Sequence, residues 1–142
     1  MPLLRHALSA LFFGTVTTLA QAVEVRFQPV APGVYAFIGE KVGRTYENEG
    51  LNANIGLIVT PAGALMIDSG ASFQGAQKIH AAVKAVTNQP VKWVINTGGQ
   101  DHRWLGNDYF AAQGAEVIAH ADAKADMLAL SLIHISEPTR PL

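Results

Sequence analysis

The stretch that decides the fold class is Ala-Leu-Met-Ile-Asp-Ser-Gly at residues 64–70. Its apolar run predicts a buried strand, and the Asp-Ser-Gly end marks where the strand stops. Residues 91–95, Val-Lys-Trp-Val-Ile, predict another strand. Between them, the apolar residues of segment 73–86 recur at steps of three and four, which predicts an amphipathic helix. A strand, a helix and a strand in this order predict an α/β layered domain.

The other elements follow from the same rules of periodicity and turn composition. The sequence predicts strands at residues 23–30, 34–38, 55–59 and 116–119, helices at 104–113 and 121–128, and a Gly- and Asn-rich loop at 39–54. A length of 142 residues suits a single domain, and no repeat or linker divides it.

The composition excludes several classes of function. Charged residues make up 15% of the chain and the formal net charge is −1, so nothing favours nucleic acid or anionic lipid as a partner. The chain has no cysteine, which excludes disulfides, cysteine-containing zinc sites and thiol nucleophiles.

The first 22 residues have the pattern of a secretory signal peptide. Arg5 and His6 precede an apolar run, and Ala20-Gln21-Ala22 provides a small-x-small cleavage site. The run is too short for a spanning helix of about 20 apolar residues. We expect cleavage after Ala22, with export to the periplasm in a Gram-negative cell and no membrane attachment afterwards. The alternative is an uncleaved amphipathic helix.

The last 13 residues differ in character from the rest of the chain. Residues 130–140, Leu-Ser-Leu-Ile-His-Ile-Ser-Glu-Pro-Thr-Arg, resemble the one-frame translation of a transposase-type sequencing adapter. We therefore expect the native reading frame to end near Ala129 and residues 130–142 to be a non-native tail; the alternative is a genuine proline-punctuated terminus. Ser131 is expected to interrupt the preceding helix, and His134 is not counted as a metal ligand.

Several short motifs together resemble the metallo-β-lactamase superfamily, specifically its exported metallohydrolases. The motifs occur in the family's order, as Pro-Gly-Val-Tyr at 32–35, Asn-Ile-Gly-Leu-Ile-Val at 54–59, the stretch 64–70, Pro-Val-Lys-Trp-Val-Ile-Asn-Thr at 90–97 and Gly-Asn at 106–107. The resemblance implies an αββα sandwich with a metal site at one edge of its sheets. Complete members are longer, so residues 23–129 would be only the N-terminal half of that sandwich.

The loop that should hold the metal departs from the family's pattern. The family places His-x-His-x-Asp-His after Ile-Asn-Thr, whereas residues 98–103 read Gly-Gly-Gln-Asp-His-Arg. An ungapped alignment puts His102 at the Asp position and Arg103 at the last His position. A one-residue deletion instead keeps Asp101 and His102 in their family roles. The spacing to Gly106 favours the ungapped version, and either one leaves at most one histidine ligand in the loop.

The resemblance nevertheless suggests roles for three loop residues. His102 is the best candidate metal ligand; its alternative is a loop histidine hydrogen-bonded to the backbone or to Asp68. Asp101 is a candidate metal ligand and catalytic group, and its alternative is an N-cap for the following helix. Gln100 could coordinate weakly through its side-chain carbonyl.

Four further residues are candidates at or behind the metal site. Asp68 matches the family's aspartate that orients the site through hydrogen bonds, with Asn96 and Thr97 beside it. Its alternative role is a simple strand-end cap. His120 lies at the end of the predicted strand 116–119 and is either a further ligand or a structural residue.

The activity implied by the resemblance is hydrolysis of an ester, thioester or amide in a small-molecule substrate, by water activated on one or two zinc ions. β-Lactam hydrolysis in particular is not implied, because one fold supports many substrates. The alternative is a metal-free, non-catalytic binding module of the same fold. As a half sandwich, the 142-residue chain itself is expected to be an inactive fragment.

Overall fold

The structure is a computed structural model that describes the backbone of residues 23–136 and the side chains of residues 23–130. The predicted signal peptide and residues 137–142 of the predicted tail lie outside these ranges. The elements are β1 Gln28–Ala31, β2 Val34–Phe37, β3 Ile55–Thr60, β4 Gly63–Ile67, α1 Phe73–Val86, β5 Val91–Asn96, α2 Asp101–Trp104, α3 Asn107–Ala112, β6 Glu116–Ala119 and α4 Ala121–Ser136.

The strands form one mixed sheet in the order β1-β2-β3-β4-β5-β6. Neighbours from β1 to β4 are antiparallel, whereas β4 pairs with β5 and β5 with β6 in parallel. Parallel neighbours need a crossover, which α1 supplies between β4 and β5, and α2 with α3 supply between β5 and β6. The carboxyl ends of β4, β5 and β6 therefore meet at one edge of the sheet.

The hydrophobic core lies on one face of the sheet. Leu57, Met66 and Val94 point to this face from successive strands and are fully buried. They belong to one core cluster with Ile79 of α1 and Phe110 of α3. The helical period of α1 places its apolar residues against the sheet.

The other face of the sheet is also apolar but is less well covered. Alternate residues such as Ile58, Leu65, Ile67, Trp93 and Ile95 point to it, because side chains alternate along a strand. None of them belongs to the core cluster, and each remains partly exposed. The described residues thus form one sheet packed on one side by helices, the α/β arrangement predicted from the sequence.

Both ends of α1 agree with the prediction made from periodicity. Ser72 is its N-cap and accepts a hydrogen bond from the backbone N–H of Gly75 at 2.9 Å. The helix ends at Thr87, which adopts an extended conformation and donates to the Val83 carbonyl at 2.9 Å. Local signals were sufficient here because both ends are specified by neighbouring residues.

The prediction of a strand at residues 23–30 is wrong for its first part. Residues 23–27 pair with no strand in the described structure, and β1 begins at Gln28. Phe27 is nevertheless buried, and Val23 and Val25 pack against the core. The alternating apolar pattern therefore indicates an extended, half-buried segment, which need not be hydrogen-bonded to a neighbouring strand.

The predicted helix at residues 104–113 is interrupted at Leu105 and Gly106, so that α2 and α3 are separate. Gly106 donates its backbone N–H to the Gly70 carbonyl at 3.1 Å. A side chain at this position would collide with the Ser69 carbonyl. The chain must pass close to the end of β4 here, which breaks the helix.

The predicted interruption of the last helix at Ser131 is also wrong, because α4 continues to Ser136. A serine inside a helix costs only a few tenths of a kcal/mol, whereas a proline disfavours helix in the residue before it. Ser131 is therefore tolerated inside α4. Within residues 23–136, no helix combines the length and the apolar character needed to cross a bilayer.

Candidate functional site

The candidate site lies at the edge where β4 and β5 end. Asp68 directly follows β4, and its backbone N–H donates to the Ile95 carbonyl at 2.9 Å. Residues 97–100 leave β5 at the same edge and lead into α2. The parallel register of the two strands brings the loop next to Asp68.

Asp68 is the buried centre of this edge, with only 2% of its surface exposed. One carboxylate oxygen accepts from the Thr97 backbone N–H at 2.8 Å, and the other accepts from the Thr97 hydroxyl at 2.8 Å. The φ angle of Asp68 is 64°, in the left-handed region that few residues other than glycine adopt. Such a conformation persists only where surrounding contacts enforce it.

Arg103 supplies the positive charge next to Asp68. Its Nη1 lies 3.2 Å from the second Asp68 oxygen and donates to the Thr97 hydroxyl at 2.5 Å. The sequence suggested that a histidine could contact Asp68, whereas the structure places this guanidinium there. An arginine thus stands beside the aspartate that the resemblance assigned to orienting metal ligands.

A network of hydrogen bonds holds the backbone of Arg103 in place. Its carbonyl accepts from the Ser69 backbone N–H at 2.8 Å and from the Asn96 side-chain amide at 3.0 Å. Asn96 is 4% exposed and also exchanges hydrogen bonds with Asn107 at 2.8 and 3.2 Å. Asn96 therefore positions Arg103, and its side-chain hydrogen bonds go to Arg103 and Asn107.

Asp101 is neutralised by a second arginine. Arg44, from the loop between β2 and β3, donates to the Asp101 carboxylate at 2.7 Å. Burial alone would raise the pKa of Asp101, but hydrogen bonding and charge attraction from Arg44, with a smaller contribution from His102, hold the pKa below its usual range. Asp101 is the first residue of α2 and makes no side-chain cap of the helix, since the N-cap position belongs to Gln100.

His102 is partly exposed and contacts one other candidate, Asp101. Its backbone N–H donates to the Asp101 carboxylate at 2.7 Å, and its Nδ1 lies 3.6 Å from the same oxygen. No hydrogen bond joins its ring to Asp68 in the described part of the chain. The ring is 31% exposed.

The remaining two candidates lie at the periphery. Gln100 is exposed, and its side-chain carbonyl lies over Gly98, within 2.5 Å of where a Cβ on that glycine would be. The side chain of His120 is 77% exposed, and its Nδ1 accepts from the Asp122 backbone N–H at 3.3 Å. This contact is at the start of α4, so His120 has a structural contact and none with the loop.

The described residues do not fit a zinc ion. Among the side chains of residues 23–130, no group of three or more His, Cys, Asp or Glu could hold a metal. Asp68 and Asp101 each already have a guanidinium partner, and a cation beside Asp68 would be repelled by Arg103.

The sequence did not predict the two arginines as functional residues. Arg44 lies in a polar loop whose contacts nothing local specifies, and its partner is 57 positions away. Arg103 carried a usable signal, because the ungapped alignment placed a cation where the family has a metal ligand.

The order of strands, the crossover helix and the loop at the carboxyl edge define an α/β protein with the metallo-β-lactamase fold. Solved metallo-β-lactamases match this chain over most of its length. The mono-zinc form of one from Pseudomonas aeruginosa is 17% identical, with a TM-score of 0.66 over 78% of this chain and 48% of that one. One from Hirschia baltica is 22% identical, with a TM-score of 0.62 over 78% and 48%.

A Cronobacter sakazakii metallo-β-lactamase described by its HARLDQ motif is 22% identical, with a TM-score of 0.57 over 76% of this chain and 36% of that one. No protein-family model and no curated protein matches the sequence. The chain thus spans about half, or less, of the length of these structures. At this level of identity the likeness establishes the fold.

Proposed function

We propose that this protein is a metal-independent binding module for a small molecule, built on the metallo-β-lactamase fold. Its site is the edge formed by Asp68, Thr97 and residues 100–103. The observation that carries the proposal is the pairing of both carboxylates at this edge, Asp68 and Asp101, with arginine side chains.

Metal binding requires free, deprotonated ligands that converge on one point. The carboxylate of Asp101 is ionised, but Arg44 holds it at 2.7 Å. His102 is the single imidazole of the loop, and one imidazole is too few for the three or four protein ligands of a zinc site. Asp68 and Asp101 are thus each balanced by an arginine without a divalent ion.

The second candidate is the metal-dependent hydrolysis of an ester, thioester or amide. It is favoured by the fold and by the partly exposed ring of His102. This activity would require several ligands from residues other than those described.

We also propose that the protein is exported; N-terminal sequencing of the exported chain should then begin at Val23.

Zinc titration of the full chain by isothermal calorimetry separates the two candidates. We expect no binding tighter than about 100 μM, whereas structural and catalytic zinc sites bind far more tightly. Tight one-to-one binding that is lost in His102→Ala but kept in His120→Ala would overturn the binding-module proposal. His120 is a matched control because it is an exposed imidazole outside the site.

A positive control can be built from the loop itself. Gly98→His, Gln100→His, His102→Asp and Arg103→His together restore the His-x-His-x-Asp-His pattern in the ungapped alignment. This variant should bind zinc more tightly than the natural chain, because it removes a cation and adds imidazoles. Equal affinities would show that the loop does not limit metal binding.

A further inference from the structure

We propose that the free edge of the Arg103 guanidinium, together with the space above Gly98, binds the carboxylate group of a small organic acid. The inference rests on the proposed binding function and names its ligand class. Three observations support it: the hydrogen bonds that fix Arg103, the Nε and Nη2 donors that have no partner, and the absence of a side chain at residue 98.

Arg103 is held rigidly by one of its nitrogens. Nη1 contacts Asp68 at 3.2 Å and the Thr97 hydroxyl at 2.5 Å, while the backbone carbonyl is held by Ser69 and Asn96. These contacts fix the plane of the guanidinium. A donor whose direction is fixed in advance loses little entropy when a ligand binds.

The opposite edge of the guanidinium has no partner. Nε of Arg103 is buried and makes no hydrogen bond within the described structure, and no described residue accepts from Nη2. A buried donor without a partner is costly, so such groups are usually satisfied by a ligand or by water. The Nε and Nη2 donors lie side by side, in the arrangement that grips both oxygens of a carboxylate.

Gly98 has no side chain in the space that a ligand oxygen would use, and the Gln100 side chain occupies that space in its place. A Cβ at Gly98 would lie 3.5 Å from Cδ of Arg103 and 3.6 Å from Nε. The position is covered by the carbonyl of Gln100, the far end of an exposed and flexible side chain. A carboxylate that reaches Nε through this space would have to displace the Gln100 side chain.

Neighbouring charges limit what the site accepts. Asp68 already shares the guanidinium, and an Asp126 oxygen lies 3.0 Å from where a Cβ on Gly99 would be. Negative charge on both sides disfavours ligands with several carboxylates close together. The geometry therefore points to a single carboxylate on an otherwise uncharged small molecule.

The test uses the ¹⁵N-labelled full chain and follows the Nε–H signal of Arg103, assigned by its loss in Arg103→Lys. Acetate at neutral pH should shift this signal saturably, because its two oxygens pair with Nε and Nη2. Acetamide has the same shape without the charge and should bind at least about tenfold more weakly.

Gly98→Ala should weaken acetate binding by about tenfold or more, because the added methyl group fills the ligand's space. This variant keeps the contacts of Arg103 with Asp68 and Thr97, so its melting temperature should stay close to that of the natural chain. Gly43→Ala is the matched control, since a Cβ there contacts nothing within 4 Å. It should leave acetate affinity unchanged.

An Nε–H signal that acetate does not move would mean that water alone satisfies this donor, and would overturn the inference. Equal shifts with acetate and acetamide, or full affinity in Gly98→Ala, would overturn it as well. None of these results bears on zinc. The proposal that the protein does not need a metal is tested separately, by the calorimetric zinc titration.

Discussion

Replacing Arg103 by glutamine should lower the free energy of unfolding by about 2 kcal/mol. Removing one partner of a fully buried ion pair costs about 3–5 kcal/mol, whereas exposed pairs contribute about 0–1 kcal/mol. The Asp68 side chain is 3% exposed and that of Arg103 is 35% exposed, so this pair falls between the two limits. The cost arises because the Asp68 carboxylate would keep only its bonds to Thr97.

A double-mutant cycle separates this charge effect from general loss of packing. Asp68→Asn removes the charge that Arg103 balances, so the double variant should be more stable than the sum of the single effects predicts. We expect a coupling of about 1–2 kcal/mol, in the range found for contacting residues of one network.

Urea unfolding followed by tryptophan fluorescence is a suitable assay. Trp104 reports on the loop directly, because its indole N–H donates to the Gly99 carbonyl at 2.9 Å. Arg26→Gln is the control, since Arg26 and Glu24 form an ion pair with side chains 77% and 74% exposed. The Arg26→Gln variant should leave the free energy of unfolding unchanged. Additive single effects, or an Arg103→Gln variant as stable as Arg26→Gln, would refute the reasoning.

Three further predictions concern the supporting structure. Gly106→Ala should lower stability by about 2 kcal/mol in thermal unfolding, because the new methyl group meets the Ser69 carbonyl. Ser72→Ala should cost about 1 kcal/mol in the same assay, since it removes the N-cap of α1. Burial, and then the charge of Lys84, lower the pKa of His80 below its ordinary 6.5, so stability should fall as the pH drops below about 6.5. His80→Gln should flatten that slope in unfolding measured between pH 7 and 5, and an unchanged slope would contradict the assignment.

Local signals in the sequence determined most of the element order. The helix at Phe73–Val86 has both predicted ends, because its period and its Ser72 cap are encoded by adjacent residues. The position of the site was also predictable, since the carboxyl ends of parallel strands meet at one edge. The alternation of apolar and polar residues at 23–27 led to a wrong strand prediction, because a half-buried extended segment and a paired strand share the same pattern.

Only the tertiary structure decided which side chains meet at that edge. Arg103 contacts Asp68 across 35 positions of sequence, and Arg44 contacts Asp101 across 57. Periodicity reports which face of an element is buried, but partners so far apart are set by strand register and loop path. The sequence alone predicted, through its resemblance to a family, that residues 98–103 depart from a metal-binding pattern, whereas only the fold placed an arginine beside Asp68 and another beside Asp101.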